Sequence, residues 1–150
     1  MADALDVSDM TKLYVDYMLK DPPLYPKPGD PTTIAKEWHI AQLTHMLGNP
    51  QTYMCIVGVV NSSKQNGVVV GGTVKAFITV HFNVRSLGFP KKVAFCEMLL
   101  VDPTFRGREV AKRLVLIACR NAKQLGAEVF EACWRKGSVI GESWKQVGMV

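Results

Sequence analysis

Residues 101–115 read VDPTFRGREVAKRLV: the end of an apolar strand, a basic turn and the start of a helix. A helix N-terminus offers free N–H groups and the positive end of the helix dipole, which together make an anion site. Gly107 lets backbone approach a ligand closely, and Arg106, Arg108 and Lys112 add positive charge. Glu109 puts a carboxylate into the same turn. As a first-turn residue it stabilises the helix by about 0.3–1 kcal/mol, and it opposes an anion unless it points to solvent. The bland reading, a plain strand-to-helix connection, stands beside the anion site.

Working outward, KKVAFCEMLLV before the turn predicts a strand, and residues 109–125 predict a helix with Val110, Leu114, Ile117, Ala118 and Leu125 inward. Gly126 stops that helix, and EVFEACW follows as a strand. Upstream, TYMCIVGVV and VVVGGTVKAFITVHF predict two more strands, joined by NSSKQNG as a polar turn. Residues 5–20 predict a helix capped by Ser8 or Asp9, with Leu13, Tyr14, Tyr17 and Met18 on one stripe. DPPLYPKPGDP reads as a stiff exposed loop. Thr32 or Thr33 opens a second helix to about Leu47, with Ile34, Trp38, Leu43 and Leu47 as core contacts; a last helix runs from Ser138 to about Val147. The order helix, helix, three strands, helix, strand, helix implies an antiparallel meander followed by a crossover to a parallel strand. The expected fold is a single α/β domain over residues 1–150, with a mixed, mostly antiparallel sheet and helices on both faces.

The 150 residues are 48% hydrophobic and 21% charged, which argues against disorder. The formal net charge of +5 favours anionic partners without choosing among them. Cys55, Cys96, Cys119 and Cys133 form no C-x-x-C pair and read as reduced, buried thiols. No metal cluster and no serine–histidine–aspartate spacing stand out. The start, MADALDVSDM, is acidic and polar, unlike a signal peptide, and no apolar run nears the roughly 18 residues that cross a bilayer. A cytoplasmic protein without a membrane span is expected.

VDPTFRGREVAKRLV resembles the cofactor motif of the N-acetyltransferase (GNAT) superfamily, Arg/Gln-x-x-Gly-x-Gly/Ala after a strand ending V-x-P-x-F/Y. Arg106 stands at the first position and Ala111 at the last. AKQLGAEVF resembles the helix end and fifth strand of that fold, and SVIGESWKQVGM its later helix. The resemblance covers residues 92–149. It implies an acetyl-CoA-dependent N-acyltransferase, with Met98, Leu99, Leu100 and Val101 along the pantetheine. Arg106, Gly107, Arg108, Glu109, Val110, Ala111 and Lys112 would surround the pyrophosphate. Four positions depart from the family pattern: Glu109 replaces a glycine, Trp144 a tyrosine, Gly137 an asparagine and Met149 a phenylalanine. The family's final hairpin has no counterpart before Val150. That leaves a sheet edge for a second copy or another protein near Met149 and Val150, unless the segment from Pro22 to Pro31 covers it.

Transfer to an amine needs a proton acceptor. Glu97, inside the apolar run AFCEMLL, is the candidate catalytic residue; alternation places it on one face with Phe95 and Leu99, and burial would raise its pKa. The resemblance supports this role, since some members use a glutamate on this strand. A salt-bridged glutamate at a sheet edge is the structural alternative. His39, His45 and His81, the last at a strand end, read as surface or cap residues before bases; Tyr14, Tyr17, Tyr25 and Tyr53 as structural before a proton donor; and Cys133 as a buried thiol before an acyl-cysteine. The acceptor is a small-molecule or protein amine. The rival reading is a non-catalytic binding module of the same fold in a larger assembly, for instance a viral particle. Nucleic-acid binding by the basic segment lacks interleaved aromatics.

Overall fold

One sheet buries both of its faces, and each face takes its own layer of helix. The computed structural model describes residues 1–20, 31–87, 89–107 and 109–132. In chain order these form α1 (Val7–Lys20), α2 (Pro31–Leu47), β1 (Tyr53–Val60), β2 (Ser63–Gln65), β3 (Val68–Val70), β4 (Thr73–Leu87), β5 (Phe89–Val101), α3 (Val110–Gln124) and β6 (Val129–Ala132). The main sheet has the order β1-β4-β5-β6. β1, β4 and β5 make an antiparallel meander, and β6 returns parallel to β5 after α3. This is the expected mixed α/β architecture.

On one face, Met54, Ile56, Ala76, Ile78, Val80, Ala94, Cys96 and Leu99 pack against Leu114, Val115, Ala118 and Ala122 of α3. On the other, Cys55, Val74, Phe77 and Leu100 pack against Met10 and Leu13 of α1 and Leu43 and Met46 of α2. α3 stands as expected at Leu114 and Ala118, but Ile117 and Leu125 are exposed rather than inward. The inner stripe is Leu114, Val115, Ala118 and Ala122, and Ile117 falls just beyond its edge.

Several local expectations are corrected. The run from Val68 to Phe82 is two strands, because Gly71 and Gly72 both take positive φ and break it. The polar turn holds β2, which pairs with β3 in a hairpin closed by Asn66 and Gly67. Both turn residues have φ above zero (51° and 81°), as a two-residue hairpin of primed type requires. α1 begins before Ser8: the Met10 N–H donates to the Asp6 carbonyl at 2.9 Å. Asp9 instead accepts the Val74 N–H at 3.1 Å and ties α1 to the start of β4. α2 turns His39 inward and leaves Trp38 outside, 55% exposed. Tyr17, Met18 and Ile34, as side chains, and the calls on residues 21–30 and 133–150 lie outside the described residues. These include the proline-rich loop, the last helix, Cys133, Trp144 and the open C-terminal edge.

His39 is only 1% exposed, stacked on Tyr14 at 3.9 Å, and its ring nitrogens have no hydrogen-bond partner among the described residues. Burial pushes its pKa down to about 4. The unfolded chain, at the ordinary value near 6.5, therefore binds the proton first. Stability from this group is complete above pH 6.5 and is lost as pH falls towards 4, by an amount on the order of 1–3 kcal/mol. Denaturant titrations between pH 7 and 4 should show a shallower acid slope for His39→Phe than for the parent; equal slopes would contradict the account.

Candidate functional site

Asp102 anchors the turn that follows β5. Its Oδ1 accepts from the Thr104 N–H at 2.9 Å and the Thr104 hydroxyl at 2.7 Å, capping a single 3-10 turn over Pro103–Phe105. Its Oδ2 meets Lys75 Nζ at 3.1 Å, and its own N–H donates to the Lys75 carbonyl at 2.8 Å. These bonds, from Thr104 first and Lys75 second, hold its carboxyl down at about pKa 2. The turn is thus fixed to β4 before the chain reaches Arg106, whose Nε donates to the Val101 carbonyl at 3.2 Å.

Beyond Arg106 the backbone takes positive φ at Gly107 (78°) and at Glu109 (57°). A Cβ at Gly107 would meet no atom within 4 Å, so the surface over this part of the turn is open. Arg108 lies outside the described residues. Glu109 is not a first-turn helical residue. It is the N-cap of α3, in left-handed conformation, and its side chain makes no cap hydrogen bond. The carboxylate is 65% exposed and lies 3.6 Å from Lys112 Nζ. The Arg113 N–H makes the first helical bond, to the Glu109 carbonyl at 2.9 Å. The amides of Val110, Ala111 and Lys112 precede it and have no acceptor within the helix. The carboxylate turns aside to Lys112 and does not cap these donors.

The strand leading to this turn carries the second feature. Val80 pairs with Cys96 and Thr79 with Met98, so Glu97 is an extra residue, a β-bulge. Its effect on facing is visible in the cores. Ala94 and Cys96 face α3, then Leu99 and Val101 do, while Met98 and Leu100 face α1 and α2. Leu99 therefore lies on the opposite face from the one expected. Glu97 is not buried either; its side chain is 33% exposed, with Oε1 3.8 Å from His81 Nδ1. His81 lies in the middle of β4 rather than at a strand end, and stacks on Tyr53 with ring centroids 4.9 Å apart. Tyr53 in turn meets the edge of His45 at 5.7 Å. This row of rings ending in a carboxylate was missed from sequence, because only strand register brings its members together.

Beside the bulge the β5–β6 ladder runs from Val93–Val129 to Cys96–Ala132, the end of the described part of β6. Met98 is half-buried, Leu99 and Leu100 are buried, and Val101 is half-buried. A small cleft lined by Leu13, Asp16, Leu100, Val101 and Arg106 brings α1 against the end of β5 and the turn. Burial first, and the charge of Glu97 second, push the Cys55 thiol up to about 11, which keeps it protonated and removes it as a nucleophile. The described residues hold no group of three or more side chains suited to a metal. No described helix is long and apolar enough to cross a membrane.

A mixed, mostly antiparallel sheet lies between two helical layers, with an open basic turn after a bulged strand. A family model described as acetyltransferase (GNAT) family matches residues 11–138, and the chain belongs to that family. Solved structures agree in fold. A putative acetyltransferase from Agrobacterium tumefaciens is 18% identical, with TM-score 0.69, over 99% of this chain and 90% of its own. Glucosamine-6-phosphate N-acetyltransferase from Arabidopsis thaliana is 16% identical, with TM-score 0.63, over 97% and 87%. The aminoglycoside N-acetyltransferase AAC(6')-Iy, in complex with CoA, is 15% identical, with TM-score 0.70, over 99% and 84%. Comparison with curated proteins gave no significant match.

Glu109 occupies a backbone position suited to glycine. Left-handed geometry costs a side-chain-bearing residue about 1–2 kcal/mol. The exposed pair with Lys112 returns about 0.2–0.5 kcal/mol and the dipole about 0.3–1. Relief of strain wins, narrowly. Glu109→Gly should therefore raise stability by up to about 1 kcal/mol, read as an upward shift in Tm. It should also free Lys112 and tighten binding of inorganic pyrophosphate. A lower Tm with unchanged binding would show that the carboxylate has a structural role.

Proposed function

We propose that the chain transfers an acetyl group from acetyl-CoA to an amine, with Glu97 as proton acceptor. The observation that carries this reading is that β5 bears both parts of the site. Its bulge presents a part-exposed carboxylate, and its C-terminal end leads into a turn whose helix-end amides are not capped by the Glu109 side chain. The residues present suit a CoA diphosphate: an open surface over Gly107, the Val110–Lys112 amides, and the charges of Arg106 and Lys112. The stretch Met98–Val101 supplies extended backbone beyond the last described pair of the β5–β6 ladder, the geometry in which an amide-bearing chain would add like a strand. When bound, acetyl-CoA supplies an activated thioester.

The chain's own part is to orient and to take a proton. Backbone amides at the end of β5 would polarise the carbonyl. Glu97 would accept the proton that leaves the acceptor nitrogen, directly or through one water. Its exposure suits this role, because a carboxylate open to solvent is within reach of an incoming amine.

The test combines binding and turnover. Acetyl-CoA at about 100 times its Kd should add roughly 2.7 kcal/mol of stability. Thiol release with a panel of primary amines should fall about 10²–10⁴-fold in Glu97→Gln while that stabilisation persists. Full activity in the variant would remove Glu97 from the mechanism. Absence of any CoA-induced shift would favour a non-catalytic module.

A further inference from the structure

We infer that His81 is a positioning residue for Glu97, and that Tyr53 holds the imidazole in the orientation this requires. The inference rests on the proposed role of Glu97 and adds residues to the same site. Three neighbouring strands contribute one residue each. Tyr53 of β1 and His81 of β4 are directly opposed in the ladder. The rings stack at 4.9 Å with planes 20° apart, which fixes how the imidazole turns about its side-chain bonds. In that orientation Nδ1 faces Oε1 of Glu97 at 3.8 Å.

A bulge lies at this meeting. Without the extra residue, the period-two alternation that places Cys96 on the α3 face would leave Glu97 opposed by a β4 residue in a regular ladder. With it, Glu97 and Met98 share the face of Phe77, His81 and Tyr53. An exposed glutamate without a neighbour samples many rotamers. A donor on one oxygen selects one of them and leaves Oε2 directed away, available to the acceptor nitrogen. The 3.8 Å separation is longer than a hydrogen bond; such contacts commonly tighten when substrate binds. For this role the imidazole carries its proton on Nδ1.

Two experiments test the inference independently. Long-range ¹⁵N NMR on the ligand-free protein reads the His81 tautomer. The Nδ1–H form should dominate in the parent and lose that dominance in Glu97→Ala, which has no acceptor there. A dominant Nε2–H form in the parent, or an Nδ1–H preference unchanged in Glu97→Ala, would overturn the inference, and this reading needs no turnover. The second experiment compares thiol release across three variants. His81→Phe keeps the stack and loses the donor, so kcat should drop tenfold or more with KM for acetyl-CoA unchanged. His81→Asn places an amide donor near the Nδ1 position and should recover most of the loss. His81→Gln places its donor near the Nε2 position and should not. Equal kcat in the parent and His81→Phe, in a protein whose Glu97→Gln variant is inactive, would leave the proposed function standing and reject this inference. An inactive parent would reject the function instead, and the tautomer result would decide the contact alone.

Discussion

The extra residue at Glu97 is the constraint on which the rest of the site depends. In a strand buried on both faces a carboxylate is costly unless a local departure from register lets it out. The bulge supplies that departure. It lets Cys96 and Leu99 both pack towards α3 while a carboxylate emerges between them on the other side. It also re-aims the last residues of β5, so that Met98 and Leu100 meet α1 and α2 and Leu99 and Val101 meet α3. Both helical layers are thus locked to the segment that leads into the turn.

The turn has its own support. Asp102 joins Thr104 to Lys75 and so ties the loop to β4. The cost of a left-handed Glu109 is carried by this frame and by α3, whose inner stripe packs on the sheet. Strain at such a position persists only where the surroundings over-determine the backbone. The same geometry explains why Glu109 does not cap the amides of α3: the left-handed N-cap carries its side chain towards Lys112 instead of over the helix end.

Much of this was legible in the sequence, and what was not has a physical reason. The meander, the crossover, α3 and the turn were readable because strong apolar periods and a family motif agreed. The bulge was not, because VAFC and MLLV are apolar on both faces, so no polar phase betrays a slipped register. α2 misled for a related reason: apolar residues surround the helix, and only tertiary packing decides that His39 enters the core while Trp38 stays out. The β2–β3 hairpin had a signal that went unused, the Asn66–Gly67 pair. Tyr53, His81 and Glu97 lie far apart in sequence, and no pattern within one strand joins them.

The central claim is that β5 and the turn after it form one binding surface. A titration of ¹⁵N-labelled protein with CoA, followed by amide shifts, tests it most directly. The account predicts that the largest changes fall on the amides of Leu99 to Val101 and Gly107 to Lys112. Changes centred elsewhere, such as on β2 and β3, or none at saturating CoA, would contradict it.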